Sequence, residues 1–494
     1  MKRDRLLLEK LRNGEHLGFM DRLTLVLVLS YPTVVAMLTS VMTEYIDAAM
    51  VGRLGAKKAA SIGLISSTMW LVGGIVSAFA AGFQIQVAHC IGARKEKEAR
   101  ALIRHGLILS LFFALLLTSA GLLVYRRLPF WLGGSGDIAL DASRYAVIYI
   151  LMLPIMQVSR TTNGMLNSSG NTKVTGAISV LICLLDVIFN YFLIFGSRDV
   201  MFFGRSIHVY GAGLDVMGAS LGTMLAESAG LILSVRYLFF GNEMLKQRKE
   251  DFIYDRKGIG AREHRKEILS TVRSELDKAV RISAPVALEQ VIMNSAQVMI
   301  TRIIVPFGAV AIAANSFAIT AESFCYMPGY GVAIAATTLV GQSIGAGRKK
   351  LAGQLAYTVT AVGMVLMTIT GLFMYIFAPV IMSLITPDAG IQTLGASLLR
   401  IEAFAEPLFA ASMVIGGVFR GTGNTLFTSV ANLISMWAVR IPLAAYLSMR
   451  MGIKGAWIAM CIELSVRGLF FIAMLIRWKK NNTQRLRDGA GLTT

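Results

Sequence analysis

The chain has 494 residues, 55% of them hydrophobic and only 16% charged, with a mean hydropathy of +0.63. Soluble proteins carry about 25% charged residues, so this composition excludes an ordinary soluble domain and predicts an integral membrane protein. The formal net charge of +19 does not predict a nucleic-acid partner. Lys and Arg gather in loops between apolar runs, where the positive-inside rule puts them, and no soluble basic face remains.

Residues 1–22, MKRDRLLLEKLRNGEHLGFMDR, are basic and mixed, with no short apolar core before a cleavage site, and read as a cytoplasmic tail. Six spans follow, near 24–50, 59–90, 104–125, 144–165, 172–196 and 216–240. Most reach or exceed the roughly 20 residues a helix needs to cross a bilayer. A polar, Gly-rich insert at 196–215 predicts an outer hairpin loop. Residues 241–279 are densely charged with both signs. They predict a solvated linker, with a helix along the membrane surface over REHRKEILSTVRSELDKAV as the alternative. Six more spans lie near 280–304, 310–340, 354–378, 394–418, 426–449 and 453–476. The predicted organisation is a tail 1–22, an N-lobe 23–240, a charged inter-lobe loop 241–279, a C-lobe 280–478 and a cytoplasmic tail 479–494.

The two halves repeat one another. Pro32 pairs with Pro285, Gly55 with Gly308, Ile91-Gly92-Ala93 with Ile344-Gly345-Ala346, and Gly170-Asn171-Thr172 with Gly423-Asn424-Thr425. Each pair is 253 apart (285 − 32 = 253). An offset held this long is a duplication. Each half holds an even number of spans, so both copies start on the same side and the relating axis lies along the membrane normal. The predicted fold class is an all-α integral membrane protein of twelve transmembrane helices in two six-helix lobes related by a pseudo-two-fold. Such lobes enclose a cleft.

Loop charges orient the chain. Arg94, Lys95, Lys97 and Arg100, then Arg348, Lys349 and Lys350, then Arg477, Lys479 and Lys480 fall on one side. Both termini are therefore expected in the cytoplasm of a multi-pass protein of the cell membrane. Arg53, Lys57, Lys58, Arg126, Arg127, Arg198 and Arg205 fall on the other side but are outnumbered. Cys90, Cys183, Cys325 and Cys461 are scattered without CxxC spacing, which argues against a metal or disulfide framework. Pro32, Pro154, Pro285, Pro328, Pro407 and Pro442 sit within spans, where each can permit a kink.

A charge in the hydrocarbon costs about 2.5–3.5 kcal/mol even on the mild insertion scale, so acids at that depth need a reason. Asp47 precedes Gly55 by roughly 12 Å of helix, and Asp186 precedes Gly196 by roughly 15 Å. Spans one and five run the same way, so both carboxyls fall at similar depth in the outer half of the first lobe. Asn190, four residues after Asp186, shares its face. Two buried carboxyls beside an amide can load and release a proton or coordinate Na⁺. Their repeat positions are Ile300 and Val439, so this site is not duplicated. Glu44, Glu289, Glu322, Glu402 and Glu406 are candidates to line the cleft and attract a cation. Glu463 and Arg467 are spaced as an internal ion pair, and Arg302 and Arg440 are expected to pair with nearby acids. There is no GxxxxGK[ST], HExxH or GxSxG motif and no His/Cys cluster. Direct ATP use and a membrane enzyme are both disfavoured.

With the segments YIDAAMVGRLGAKKAASIGL (45–64), NSSGNTKVTG (167–176), LLDVIFNYFLIFG (184–196), GQSIGAGR (341–348) and FRGTGNT (419–425), the chain resembles the multidrug and toxic compound extrusion (MATE) family from about residue 20 to about 480. The resemblance implies a V-shaped cleft and efflux of cationic or amphipathic organic compounds in exchange for H⁺ or Na⁺, without a cofactor. Its first-span aspartate matches Asp47. Its fifth-span Asn-x3-Asp pair stands here in reverse order as Asp186-x3-Asn190, and its seventh-span Glu falls nearer Met293 than Glu289. The expectation is a monomeric secondary antiporter working in the lipid bilayer by alternating access. A flippase for lipid-linked precursors is the alternative.

Overall fold

The computed structural model of the chain describes residues 2–202, 205–248 and 261–487. The chain starts with a short helix, α1 (Lys2–Asn13), followed by α2 (Phe19–Gly52), α3 (Ala56–Gly92), α4 (Glu96–Val124), a single turn α5 (Leu128–Trp131), α6 (Gly136–Ser168), α7 (Thr172–Ile194) and α8 (Asp215–Arg236). Between α7 and α8 an antiparallel hairpin, β1 (Gly196–Phe202) with β2 (Arg205–Ala212), occupies the polar insert. The second half holds α9 (Ala261–Ile304), α10 (Ala309–Gly345), α11 (Lys349–Ile385), α12 (Ala389–Glu402), α13 (Glu406–Gly421), α14 (Leu426–Ile434), a π-helical stretch Ser435–Arg440, α15 (Ile441–Met451) and α16 (Ile453–Arg487).

Among the described residues, ten helices are long and apolar enough to cross a membrane, and the bent pair α12–α13 makes an eleventh. The twelfth position belongs to α9. It is less apolar because Glu289, Gln290, Asn294 and Gln297 interrupt its membrane-depth half.

The duplication holds in the backbone. α3 and α10 are both 37 residues long and start 253 apart (309 − 56 = 253). Each begins after a glycine with positive φ, Gly55 at 107° and Gly308 at 87°, a conformation that side chains disfavour. The lobes meet reciprocally at the far ends of these helices. A Cβ on Gly92 would collide with the Gln342 backbone, and one on Gly345 with the His89 backbone. Gly92 and Gly345 are repeat partners, and so are His89 and Gln342 (342 − 89 = 253). A contact in which i meets j′ while i′ meets j is the mark of a two-fold axis.

Most side-chain hydrogen bonds that join the lobes lie toward this end of the molecule. The Gln342 amide donates to Ser168 O (2.6 Å), Thr338 Oγ1 to Asn167 O (3.2 Å), and His89 Nε2 lies 2.8 Å from Gly421 O. Farther along, Thr33 Oγ1 donates to Gly331 O at 2.7 Å. Toward the opposite end the lobes touch through the rings of Tyr45 and Phe324, 4.9 Å apart.

The structure adds detail to three expectations. Residues 2–13 form a helix. The charged segment from Ala261 is neither a linker nor a separate surface helix: it is the first part of α9, continuous for 44 residues into the seventh span. Residues 249–260 of the expected loop lie outside the described residues. Of the prolines, Pro32, Pro154, Pro285 and Pro328 sit in unbroken helices. Pro407 follows a 59° break, and Pro442 follows the π-helical stretch. A proline has no N–H and its ring displaces the carbonyl four residues back. For Pro407 that is Ala403, inside the break; for Pro442 it is Ala438, inside the widened turn.

Candidate functional site

α2 and α7 run side by side in the first lobe, and α8 closes over α7. Asp47 projects from α2, and Asp186 and Asn190 from one face of α7. The structure brings all three together. The Asn190 amide nitrogen donates to Asp47 Oδ1 at 2.7 Å and to Asp186 Oδ2 at 3.0 Å. Asp186 and Asn190 are 0% exposed, and Asp47 is half-buried. Asp186 Oδ1 and Asn190 Oδ1 have no hydrogen-bond partner. On α8, Gly222 lies against Asn190 so closely that a Cβ there would strike Asn190 Oδ1. One amide –NH₂ thus serves two acids, a use of both its hydrogens that Ser or Thr cannot reproduce.

The second lobe contains a counterpart. On α9, Glu289 accepts from Ser429 Oγ (2.6 Å) and from the Asn432 amide (2.6 Å), both on α14. By the repeat, Glu289 corresponds to Ala36 (289 − 253 = 36) and Asn432 to Ser179 (432 − 253 = 179). Asp47 lies eleven residues beyond 36, and Asn190 eleven residues beyond 179. Eleven residues are about three helical turns, so the face is kept. The acid–amide pair occupies the same two helices in each lobe, displaced in step by roughly 16 Å along them.

Glu322, Glu402 and Glu406 are buried inside the second lobe, with Glu402 and Glu406 0% exposed on either side of the α12–α13 break. Arg440 acts electrostatically on Glu322 and Glu402. Glu463 lies 3.3 Å from Arg467 Nε and also accepts from Ser435 Oγ. The expected Glu463–Arg467 pair is present, within a larger network of four carboxyls and two guanidinium groups. Glu44 is exposed on α2, with Arg160 of α6 acting on it across the first lobe. Ser159, next to Arg160, donates to Glu227 Oε2 at 3.3 Å.

Sequence reasoning passes over Arg160, Ser429 and Asn432. A lone arginine within an apolar span is a usable signal for the first. Ser429 and Asn432 are ordinary polar residues until the partner face is known. Among the described residues no group of three or more His, Cys, Asp or Glu side chains is arranged to hold a metal.

Two six-span lobes in a duplicated, nearly all-helical membrane protein, with paired ionisable groups at membrane depth, define a polytopic transporter. The MatE family pattern matches residues 32–192 and 285–446, one match in each lobe. The chain belongs to the MatE family, whose members are transporters rather than enzymes. Among curated relatives, the "Probable multidrug resistance protein NorM" of Thermotoga maritima is 24% identical over 440 residues, covering 88% of each chain. The protein of the same name from Mannheimia succiniciproducens is 22% identical over 475 residues, covering 93% of this chain and 95% of the relative. Among solved structures, an "outward-facing conformation of a multidrug resistance MATE family transporter" superposes with a TM-score of 0.81 at 20% identity, covering 93% and 96% of the two chains. A MOP-superfamily transporter from Pyrococcus furiosus does so with 0.81 at 20% identity, covering 96% and 98%. At this identity the structural matches speak for the fold alone.

Proposed function

We propose that the chain is a secondary antiporter of the cell membrane that exports cationic or amphipathic organic compounds in exchange for a proton, with Na⁺ as the alternative ion. The observation that carries this is the Asn190 amide shared between Asp47 and Asp186. Two carboxylates beside one neutral amide leave an unbalanced charge in an apolar site, which is costly unless compensated. The pair therefore takes up a proton or a monovalent cation. The amide presents its donors to both acids and turns its carbonyl away, which supports a proton over Na⁺; Na⁺ would need the carbonyl as a ligand. Loading Asp47 from outside changes its bond to Asn190 and so the packing of α2 on α7. Mutual exclusion of proton and substrate gives exchange, with both termini in the cytoplasm as the loop charges indicate. The names of the curated relatives, multidrug resistance proteins, support drug-like small molecules as substrates.

The test is ethidium transport in proteoliposomes, with a proton gradient and a sodium gradient imposed separately and Asp47→Asn in parallel. Transport driven by the proton gradient and lost in the variant is expected. Transport driven by sodium alone changes the ion. No gradient-driven transport by folded protein shifts the reading to the lipid-linked-precursor flippase.

A further inference from the structure

The region unaccounted for by the acid pairs is α1, which lies across the end of the molecule where the lobes are joined. Its apolar face is Leu7, Leu8 and Leu11, with Leu17 beyond its end, at 3%, 5%, 0% and 2% exposure. These side chains share one core with Leu25, Val26 and Leu29 of α2 and with Leu339, Val340, Leu351 and Leu355 of the second lobe. Leu8 also seats against Gly170, in the α6–α7 turn of the first lobe, where a Cβ would collide with it.

The polar contacts reach both lobes as well. Arg12 Nε donates to Gln342 Oε1 in the second lobe (3.2 Å), Nη2 to Ser169 O in the first (3.4 Å), and Nη1 to Met244 Sδ after α8 (2.9 Å). Burial pulls the Arg12 guanidinium down to about 10, which still leaves it charged at neutral pH. Arg5 pairs with Glu243 at 2.8 Å. The last turn of α1 ends in a Schellman-type closure, Glu15 N–H to Lys10 O at 3.1 Å, around Gly14 at φ 83°. Onto that end the second lobe places Arg348, whose Nη1 donates to Lys10 O (3.1 Å) and Leu11 O (2.8 Å) and whose Nη2 donates to Glu15 O (2.6 Å). A cation set on the carbonyls at a helix C-terminus complements the helix dipole, and here Lys10 O accepts from both Glu15 N–H and Arg348.

We propose that α1 is a strap that holds this end of the cleft shut, tied to the first lobe through α2 and buckled to the second by Arg348 and Arg12. The lobes cannot part here while the strap is buckled. Opening strips three carbonyls of Arg348, strips Gln342 of Arg12, and exposes the leucine face. Because the 14–18 linker keeps α1 on α2, release breaks the second-lobe contacts while the first-lobe contacts persist. The strap therefore biases the alternating-access equilibrium toward closure at this end. This builds on the antiporter reading above, but its test does not use transport.

The experiment is hydrogen–deuterium exchange of the full chain in lipid nanodiscs, comparing wild type with Arg348→Gln and, separately, Arg12→Gln. In wild type the amides of residues 7–12 should exchange slowly. Each variant should speed exchange in α1 and, in the same sample, in 86–93 and 338–346 by about tenfold or more, as expected for one cooperative opening unit. The proposal is overturned if residues 7–12 are unprotected in wild type. It is equally overturned if the variants loosen α1 while 86–93 and 338–346 keep their wild-type rates. Two variants at separate contacts guard against one misfolding. A wild type that transports nothing would sink the antiporter reading and leave these exchange rates to decide the strap.

Discussion

The first lobe holds its acid–amide pair near the far end of α2 and α7, and the second lobe holds one three turns away on α9 and α14. The backbone of the duplicated halves stayed in register, down to the φ angles of Gly55 and Gly308, while the chemistry moved. In the first lobe one amide bridges two acids. In the second a single acid is satisfied by an amide and a hydroxyl. The first arrangement sets two carboxyls on one amide; the second supplies one carboxyl with two donors. Duplication thus fixes which helices meet, and side-chain substitution decides at what depth and with what charge a site is built on them.

The sharpest way to break this contrast is to neutralise one acid in each lobe. Asp47→Asn should lower gradient-driven ethidium transport to the level of empty liposomes. Glu289→Gln should reduce the rate by only about threefold to tenfold, since an amide can still bond Ser429 or Asn432, each bond contributing about 1 kcal/mol. Equal loss in both variants would mean that the two pairs do the same job. Next in size is the second lobe's buried network. Arg467→Ala removes the guanidinium 3.3 Å from Glu463, leaving Arg440 to act on it, and should destabilise the protein by about 3 kcal/mol, read as a lowered midpoint in detergent thermal unfolding. Gly222→Ala pushes a methyl into Asn190 Oδ1 and should cost about 1–3 kcal/mol by overpacking. It should also slow transport with the Glu289 site unaltered, which separates geometry from charge in the first lobe. The smallest effect is expected at the β1–β2 hairpin. There His208 bonds Asp199 at 2.7 Å but both are exposed, and His208→Ala should change stability by no more than about 0.5 kcal/mol.

Asp47, Asp186 and Asn190 are legible in the sequence because each is polar at a depth where polarity is expensive, and because helix rise sets the first two level with one another. Glu289 is visible for the same reason, but its partners are not. Nothing local separates Ser429 and Asn432 from other polar residues in spans, and the face of α14 that meets α9 is set by tertiary packing. Charge alone points Glu322, Glu402 and Glu406 toward the cleft. They are buried inside the lobe, with Arg440 of the π-helical stretch acting on Glu322 and Glu402, an arrangement that hydropathy does not record. α1 is hidden for a related reason. Its leucines are too few to span a bilayer, and an amphipathic dozen of residues reads alike whether it lies on lipid, in water or across two lobes.

The turn after α3 carries a last consequence. Arg94 has φ 59°, and its repeat partner Gly347 has φ 72° (347 − 94 = 253), so one left-handed corner is built once with a cation and once with glycine. Holding a side chain in that conformation costs roughly 1–2 kcal/mol. A lysine or arginine at an anionic lipid surface gains about 1 kcal/mol. The two quantities are of similar size, so either residue is acceptable at this corner, and the second copy recovers its charge from Arg348, Lys349 and Lys350 immediately downstream.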